Sequence, residues 1–358
     1  MPIAGDSSRY PSGKPKYALP HPKGYTMLTE AIRGINPSQF DSVLLIGRKT
    51  HEDKYGCITE CAMEINKVYD TRVKFVVLPK QTGSQPETVC QGLQHIKIPV
   101  KDAILIKDSD GFFEYDAEVN WGQNHVAVAD IHNMERINAR NKSYVQIDEN
   151  NTVGNIVEKQ VISNLFCVGG YFFSRAKDFL DTYDKIKKTN SETMYVSHII
   201  YQMLLDKNVF FVENTKNYLD WGTIEDWIEY KNSLSEKKSI VIDIDNTLST
   251  TDQSIPYVDR MPKKEVIEKL REYQRKGYYI VIETGRQMKT YKKNIGLRNV
   301  ETLPVLIEWL NKNRVPYDEI YIGKPWQGYD GFRVDDSTVR PDEFLLLSED
   351  EIKKLVGI

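Results

Sequence analysis

The chain has 358 residues, and at about 150 residues per domain this length predicts two domains, each large enough to bury a core. Apolar residues make up 40% and charged residues 28%, a balance that excludes an intrinsically disordered chain. The formal charge is −3, from 48 basic and 51 acidic residues, which excludes a general nucleic-acid binder but leaves local basic sites open.

Membrane and secretion signals are not expected either. No apolar run approaches the roughly 18 residues that a membrane span needs, and Asp6 and Arg9 interrupt the stretch where a signal peptide would be apolar. The chain has four cysteines, of which Cys57 and Cys61 have no second pair at zinc-site spacing. We therefore favour reduced packing thiols over a metal pair and expect a cytoplasmic protein.

Short apolar runs alternate with segments of helical period along the first two thirds of the chain. This alternation predicts an α/β fold with a largely parallel sheet. The predicted strands cover residues 42–46, 73–78, 103–107, 126–129, 165–173 and 209–212, and the predicted helices between them include 53–69, 87–95 and 195–205.

The pattern starts again after a polar stretch at 233–238, so we predict two doubly wound domains, residues 1–235 and 236–358. The second domain is expected to contain strands at 240–242, 279–282, 320–322 and 332–334, helices at 263–276 and 303–313, and a final helix.

Two carboxylates follow directly on the first strand of the second domain. Asp243 and Asp245 are two positions apart, so they share a face at the end where parallel sheets bind ligands. One could attack phosphorus while the other transfers protons beside a divalent cation. Such a pair alone is equally typical of an ordinary polar strand end.

The next predicted strand ends supply further phosphate-binding groups. The Thr284 hydroxyl and the backbone N–H of Gly285 can bind a phosphoryl group, and the Lys324 ammonium can neutralise it. Asp335 and Asp336 add carboxylate oxygens suited to Mg²⁺. Consecutive strand ends therefore present Asp, Thr, Lys and Asp, an order that favours a phosphate site over chance.

These motifs resemble those of the haloacid dehalogenase superfamily, and within it the small phosphatases encoded with capsular polysaccharide genes. The resemblance covers nearly all of residues 238–358 and implies a capless Rossmannoid domain that works through an aspartyl phosphate. Either the substrate is large, or the N-terminal domain or another subunit covers the site. The resemblance implies Asp243 as nucleophile, Asp245 as general acid/base, Thr284 and Lys324 as further catalytic residues, Gly285 and Arg286 as substrate-binding residues, and Asp243, Asp245, Asp335 and Asp336 as Mg²⁺ ligands.

The N-terminal domain begins with a glycine-bearing loop. Backbone N–H groups around Gly5, Ser7 and Ser8 can bind phosphate, and Arg9 and Lys16 add positive charge for a leaving pyrophosphate. The loop alone is explained equally well by a polar N-terminal turn.

Acidic residues later in this domain are candidates for a metal site. Asp108 and Asp110 follow the predicted strand 103–107, and Asp220 ends another apolar stretch. Together they could hold Mg²⁺ against a triphosphate.

Polar groups elsewhere in the domain are candidates for binding the base and the acceptor. Thr82 and Gly83 lead into a helix at a position where a nucleobase edge could be recognised. A hairpin is predicted at 150–151. The candidates for acceptor hydroxyl groups follow it and are Glu158, Lys159, Asn164 and Gly170, although Glu158 and Lys159 alone would fit a surface charge pair.

Together these residues resemble the nucleotidyltransferases that couple an NTP to a sugar phosphate or a similar phosphorylated molecule, with a GT-A-like, Rossmann-type fold. The resemblance runs from residue 1 to about 234. It implies in-line attack on the α-phosphorus. The implied roles are triphosphate binding for Gly5, Ser7, Ser8, Arg9 and Lys16, base binding for Thr82 and Gly83, metal binding for Asp108, Asp110 and Asp220, and acceptor binding for Glu158, Lys159, Asn164 and Gly170.

The leading hypothesis is a cytoplasmic bifunctional enzyme of surface-polysaccharide precursor synthesis. It would transfer a nucleotidyl group, with CTP or UTP favoured, to a phosphorylated sugar or polyol and would hydrolyse a phosphomonoester. We expect one or two Mg²⁺ ions in the first site and one in the second, no nucleic-acid partner, and leave a homo-oligomer open. The alternative is a nucleotide-binding regulatory domain without turnover fused to an active phosphatase.

Overall fold

The computed structural model of the protein describes residues 1–5, 10, 14–134, 138–187, 193–234, 238–252, 254–325 and 331–358. The chain divides into two compact units. The first comprises Met1–Leu19 and Thr26–Ser233, and the second comprises Pro20–Tyr25 and Leu234–Ile358. Residues 235–237 lie outside the described residues, so the predicted boundary between 235 and 236 stays a prediction.

The first unit alternates strands and helices, which confirms the predicted α/β class. Its strands are β1 Val43–Arg48, β2 Val73–Leu78, β3 Ile104–Lys107, β4 Gly111–Tyr115, β5 His125–Asp130, β6 Ser143–Ile147, β7 Val153–Glu158, β8 Leu165–Phe173 and β9 Phe211–Asp220. Its helices are α1 Met27–Ala31, α2 Lys49–Tyr55, α3 Cys57–Tyr69, α4 Gln85–His95, α5 Ala176–Ile186, α6 Val196–Leu205 and α7 Ile224–Ser233.

The strand pairing in this unit is mixed rather than largely parallel. Strands β1 and β2 pair in parallel, while a seven-stranded sheet has the order β4-β9-β5-β8-β6-β7, with β3 also paired to β8. Among the described pairs of the larger sheet, β5–β9 alone is parallel. The difference arises because a hairpin such as β6–β7 needs no helix between its strands, and apolar runs do not reveal strand direction.

The second unit contains a parallel sheet in the order β10-β11-β12. Its elements are β10 Ser239–Ile242, α8 Lys264–Arg275, β11 Tyr279–Glu283, α9 Ile295–Glu301, α10 Leu303–Lys312, β12 Glu319–Tyr321, α11 Pro341–Leu346 and α12 Glu349–Val356. The strand predicted at 332–334 is wrong. Phe332 and Val334 are 82% and 86% exposed, so no buried face stabilises an extended pairing there.

The core of the second unit forms where one face of α8 meets the sheet. Val266, Ile267, Leu270 and Tyr273 recur at helical spacing and are buried. They belong to one cluster with the strand residues Ile242, Ile280 and Ile282 and with Leu306, Trp309 and Leu310 of α10. This packing fixes the three strands and therefore the loops that follow them. None of the described helices combines the length and apolar character needed to cross a membrane.

His125 on β5 is buried among aromatic side chains. Its ring stacks on Phe172 with the centroids 4.9 Å apart, and its Nε2 lies 3.3 Å from the Tyr115 hydroxyl. Burial lowers the pKa of His125 from 6.5 to about 4, so the unfolded chain binds a proton at a pH where the folded unit does not. We expect this histidine to reduce stability as the pH falls below about 6.5, by roughly 2 kcal/mol at pH 5.

Urea unfolding at pH 7.5 and pH 5 tests the role of His125. The His125→Gln variant lacks the titrating group and should lose less stability between the two pH values than the unaltered protein. His132→Gln is the matched control, because this imidazole is exposed. Equal losses in the unaltered protein and the His125 variant would contradict the prediction.

Candidate active sites

Asp243 and Lys324 lie together at one edge of the parallel sheet in the second unit. Asp243 follows β10 and Lys324 lies shortly after β12, and the Lys324 Nζ is 3.2 Å from Oδ1 of Asp243. Burial raises the pKa of Asp243, while the Lys324 ammonium opposes the rise. The structure thus brings these two predicted residues together, as a partly desolvated carboxylate beside a cation that can accept a phosphate.

Asp245 is held by two guanidinium groups. Its Oδ1 accepts hydrogen bonds from Arg260 Nη1 at 2.9 Å and from Arg286 Nε at 3.0 Å. Arg286 also donates through Nη2 to the Ser249 hydroxyl at 3.1 Å. Burial lowers the pKa of Arg286. The contacts fix the direction of the Asp245 carboxylate and surround it with positive charge.

Thr284 begins the loop after β11. It is fully buried, and its Oγ1 accepts a hydrogen bond from the backbone N–H of Arg286 at 3.1 Å. A Cβ at Gly285 would lie 3.4 Å from the carbonyl oxygen of Lys324, so the two loops pass close to one another. The structure therefore places Thr284, Gly285 and Arg286 in the group formed by Asp243, Asp245 and Lys324.

Arg298 on α9 holds the loop at 284–286 through hydrogen bonds to its backbone. This residue was not predicted from the sequence. It is fully buried; its Nε donates to the Arg286 carbonyl at 2.9 Å and its Nη2 to the Thr284 carbonyl at 3.1 Å. Burial lowers its pKa. The sequence offered no signal for it, since its acceptors are backbone atoms of another element.

Replacing Arg298 by Met should destabilise the second unit. Arg298→Met leaves the carbonyls of Thr284 and Arg286 without their donor, and we expect about 2 kcal/mol less stability in this unit. Hydrogen-exchange mass spectrometry under increasing urea, on peptides from the second unit, measures the loss. Arg271→Met is the control, because Arg271 donates to the carbonyl of Arg314 at 2.9 Å from a solvent-accessible position. Equal losses in both variants would contradict a special role for Arg298.

Asp335 and Asp336 are exposed on an irregular segment of the second unit. Oδ1 of Asp335 accepts hydrogen bonds from the backbone N–H and the hydroxyl of Ser337, both at 3.0 Å. Within the part of the chain that the structure describes, no three Asp, Glu, His or Cys side chains are grouped closely enough to hold a metal ion. The metal role of these two residues therefore stays a prediction.

In the first unit, strand pairing brings Asp110 and Asp220 together. Strand β4 pairs with β9 so that Gly111 lies opposite Asp220, and the Trp221 N–H donates to the Asp110 carbonyl at 2.8 Å. The Lys16 ammonium pairs with the Asp110 carboxylate. Burial alone would raise the pKa of Asp110, but Lys16 and further lysines hold it at about 2. Asp110 is therefore an ionised carboxylate paired with Lys16, and its role as a metal ligand stays a prediction.

Asp108 lies beside this pair, and the backbone of Gly169 passes close to its carboxylate. Its N–H donates to the Gly169 carbonyl at 2.8 Å, and Oδ1 accepts from Gln85 Nε2 at 2.5 Å. Gly169 has φ +81°, and a Cβ there would overlap the Asp108 carboxylate, so only glycine fits. Burial and the neighbouring Asp110 raise the pKa of Asp108 to about 6.

Lys142 is a member of this group that sequence reasoning missed. Its Nζ donates to the Tyr218 hydroxyl at 2.7 Å and to Oδ2 of Asp220 at 2.5 Å. The residue directly precedes β6, the first strand of the hairpin predicted at 150–151. The hairpin alone did not indicate that the Lys142 side chain reaches Asp220 on β9.

Glu158 and Lys159 follow one another but contact different partners. Oε2 of Glu158 accepts from the Ser197 hydroxyl at 2.7 Å and from the hydroxyl of Ser143. Lys159 donates to the Tyr195 hydroxyl at 2.5 Å. Glu158 is thus part of a local hydrogen-bond network rather than of a surface pair with Lys159.

The other two acceptor candidates have structural partners. The carbonyl of Asn164 accepts from the Ile131 N–H at 2.9 Å. A Cβ at Gly170 would lie 2.6 Å from Cζ of Phe113, so this glycine permits tight packing inside the sheet. Their acceptor-binding role stays a prediction.

The predicted triphosphate and base residues are only partly described. Ser7, Ser8 and Arg9 lie outside the described residues, and Gly5 is exposed. Thr82 Oγ1 lies 2.5 Å from Thr88 Oγ1, and the Gly83 N–H donates to Glu87 Oε2 at 2.7 Å. Thr82 and Gly83 therefore contact the first turns of α4, and base binding by them stays a prediction.

Part of the second unit matches a known family. Residues 240–308 match the family model of the haloacid dehalogenase-like hydrolases. A structural-genomics target from Vibrio cholerae is 48% identical over 34% of this chain and 97% of its own, with a TM-score of 0.33. No curated protein matches the chain in sequence.

The N-terminal part resembles solved nucleotidyltransferases. A nucleoside-diphosphate-sugar pyrophosphorylase from Vibrio cholerae RC9 is 17% identical over 65% of this chain and 100% of its own, with a TM-score of 0.55. A candidate glucose-1-phosphate thymidylyltransferase from Bacillus anthracis, solved with sucrose, is 16% identical over 65% and 93%, with a TM-score of 0.50. The chain therefore joins an N-terminal part with the nucleotidyltransferase fold to a C-terminal part in which residues 240–308 match the haloacid dehalogenase-like hydrolases.

Proposed function

We propose that the protein is a bifunctional enzyme that transfers a nucleotidyl group and hydrolyses a phosphomonoester. The observation that supports this best is that each unit pairs a carboxylate with a lysine at the site predicted for phosphate chemistry. These pairs are Asp243 with Lys324 and Asp110 with Lys16. A regulatory domain would have no need to keep the second of these pairs.

The phosphatase reaction would proceed in two steps. An Asp243 oxygen attacks phosphorus and the bond to the leaving oxygen breaks, while Asp245 supplies the proton that this oxygen needs. Asp245 then removes a proton from water, which attacks phosphorus and releases Asp243 and inorganic phosphate. Lys324 neutralises the phosphoryl oxygens throughout, 3.2 Å from the nucleophile.

The nucleotidyl transfer would need no covalent intermediate. An oxygen of the acceptor phosphate attacks the α-phosphorus of the NTP, and the bond to pyrophosphate breaks on the opposite side. The Lys16 ammonium, which pairs with Asp110 in the structure, would neutralise the leaving pyrophosphate.

The carboxylates in both units suit Mg²⁺, which prefers hard oxygen ligands. In the first unit, Asp110 and Asp220 already bind the cationic groups of two lysines, so both accept positive charge. When bound, Mg²⁺ would supply charge that stabilises the transferred phosphoryl or nucleotidyl group. We propose one or two ions in the first site and one in the second, with Asp108, Asp110 and Asp220 as ligands in the first and Asp243, Asp245, Asp335 and Asp336 in the second.

The substrates follow from the resemblances. The pyrophosphorylase and thymidylyltransferase structures support an NTP and a phosphorylated sugar or polyol as substrates of the first unit. The likeness of the second unit to phosphatases encoded with capsular polysaccharide genes supports a role in surface-polysaccharide synthesis. We propose CTP or UTP as the donor and the cytoplasm as the location.

One incubation series tests the two activities. The protein is supplied with Mg²⁺, each NTP and a panel of sugar and polyol phosphates, and pyrophosphate and inorganic phosphate are measured separately. We expect both products with a matching pair of substrates. Phosphate release with NTP binding but no pyrophosphate from any pair would support the regulatory alternative instead.

A further inference from the structure

Lys142 occupies a position that the proposed function leaves unexplained. Its side chain is only 12% exposed, and its ammonium contacts Asp220 and Tyr218. Its positive charge also helps to lower the pKa of Asp110, whose carboxylate forms an ion pair with Lys16. Asp110 and Asp220 are therefore each neutralised by a lysine of their own. The side chains of both lysines are mostly buried.

A divalent cation and the Lys142 ammonium would compete for the same carboxylate. Both would bind the Asp220 carboxylate, and Oδ2 of Asp220 already accepts a hydrogen bond from Lys142 Nζ at 2.5 Å. A buried ammonium that loses its anion is costly unless another anion replaces it. If a cation takes Asp220, Lys142 therefore needs a new anionic partner close by.

The backbone of Lys142 lies next to the residues predicted to bind the acceptor, which carries a phosphate. The N–H of Lys159 donates to the Lys142 carbonyl at 2.9 Å, so Lys142 is adjacent to the pair predicted to bind the acceptor. An acceptor phosphate is the anion expected there under the proposed function, on which this part of the inference rests.

We propose that the Lys142 ammonium occupies the position at Asp220 where a divalent cation binds, as long as the cation is absent. When the cation binds, the ammonium moves to the acceptor phosphate. Removing the ammonium then has two opposite effects. The cation binds more tightly in the absence of substrates, because its competitor is gone. The acceptor binds more weakly, because a charge that would receive its phosphate is gone.

The first effect is measured with Mn²⁺ alone, by electron paramagnetic resonance, without nucleotide or acceptor. Lys142→Met should bind Mn²⁺ about 10-fold more tightly, whereas Lys142→Arg, which keeps the charge, should not. All titrations use an Asp243→Asn background to weaken binding at the phosphatase site. Lys216→Met is the matched control, because Lys216 lies on β9 and its ion pair with Asp116 is solvent-exposed.

The outcomes separate this inference from the proposed function. Unchanged or weaker Mn²⁺ binding in folded Lys142→Met would overturn it, and so would equal tightening in Lys216→Met. If Lys142→Met does not fold, tighter Mn²⁺ binding by Lys142→Arg than by the parent protein overturns the inference. The KM for the acceptor should rise at least 10-fold in Lys142→Met, with a smaller change for the NTP. If no variant releases pyrophosphate, the proposed function fails while the Mn²⁺ titration still decides the role of Lys142.

Discussion

Asp243→Asn should abolish phosphate release and leave pyrophosphate release intact. The amide cannot attack phosphorus as the carboxylate does, so we expect phosphatase turnover to fall at least about 1000-fold. The substitution preserves shape, and Lys324, 3.2 Å from Oδ1, keeps an oxygen to contact. Inorganic phosphate and pyrophosphate are followed separately in one reaction with Mg²⁺, an NTP and an acceptor phosphate.

The control for this variant is Asp252→Asn. Asp252 is an exposed aspartate of the same unit whose Oδ1 accepts from the Ser254 N–H at 2.9 Å. It should retain full phosphatase activity. Simultaneous loss of both products in Asp243→Asn would argue against two separate sites, and retention of phosphate release would remove Asp243 as the nucleophile.

Asp110→Asn should have the converse effect. Lys16 and further lysines hold the pKa of Asp110 below that of an ordinary carboxyl, so it is ionised at neutral pH and the amide removes a full negative charge. Loss of this charge removes a predicted metal ligand and the partner of Lys16, and we expect pyrophosphate release to fall about 100- to 1000-fold. Phosphate release by the second unit should not change.

Asp116→Asn provides the matched comparison for Asp110→Asn. Asp116 carries the same charge in the same unit, but it is exposed and pairs with Lys216 at 3.8 Å. Its removal should leave both activities within about two-fold, as expected for a surface pair. An Asp110→Asn variant with the activity of Asp116→Asn would show that the first site lies elsewhere.

The sequence predicted the second unit better than the first, for a physical reason. Asp243, Thr284 and Lys324 lie just after apolar strands, and parallel strands bring such positions to one edge without further information. Arg260 and Arg298 do not follow strands. Their partners are a carboxylate and backbone carbonyls from distant segments, which only the folded chain reveals.

In the first unit, the limits came from strand pairing. The hairpin predicted at 150–151 forms as β6–β7, but strand β4 and the contact between Lys142 and Asp220 on β9 were not predicted. Gly170 has a second reason to be glycine. The sequence indicated ligand binding, which stays a prediction, and the structure shows in addition that the backbone there lies close to the Phe113 ring. Composition near a site cannot distinguish these two reasons for a glycine.

The pairing of β4 with β9 also has a consequence for how the protein matures. Asp110 belongs to a segment made early, while Asp220 ends the last strand of the unit, and their juxtaposition depends on the Gly111–Asp220 register. A nascent chain therefore contains Asp110 long before it contains Asp220. The cation site proposed at these two residues can be complete only after β9 has been synthesised and has paired with β4.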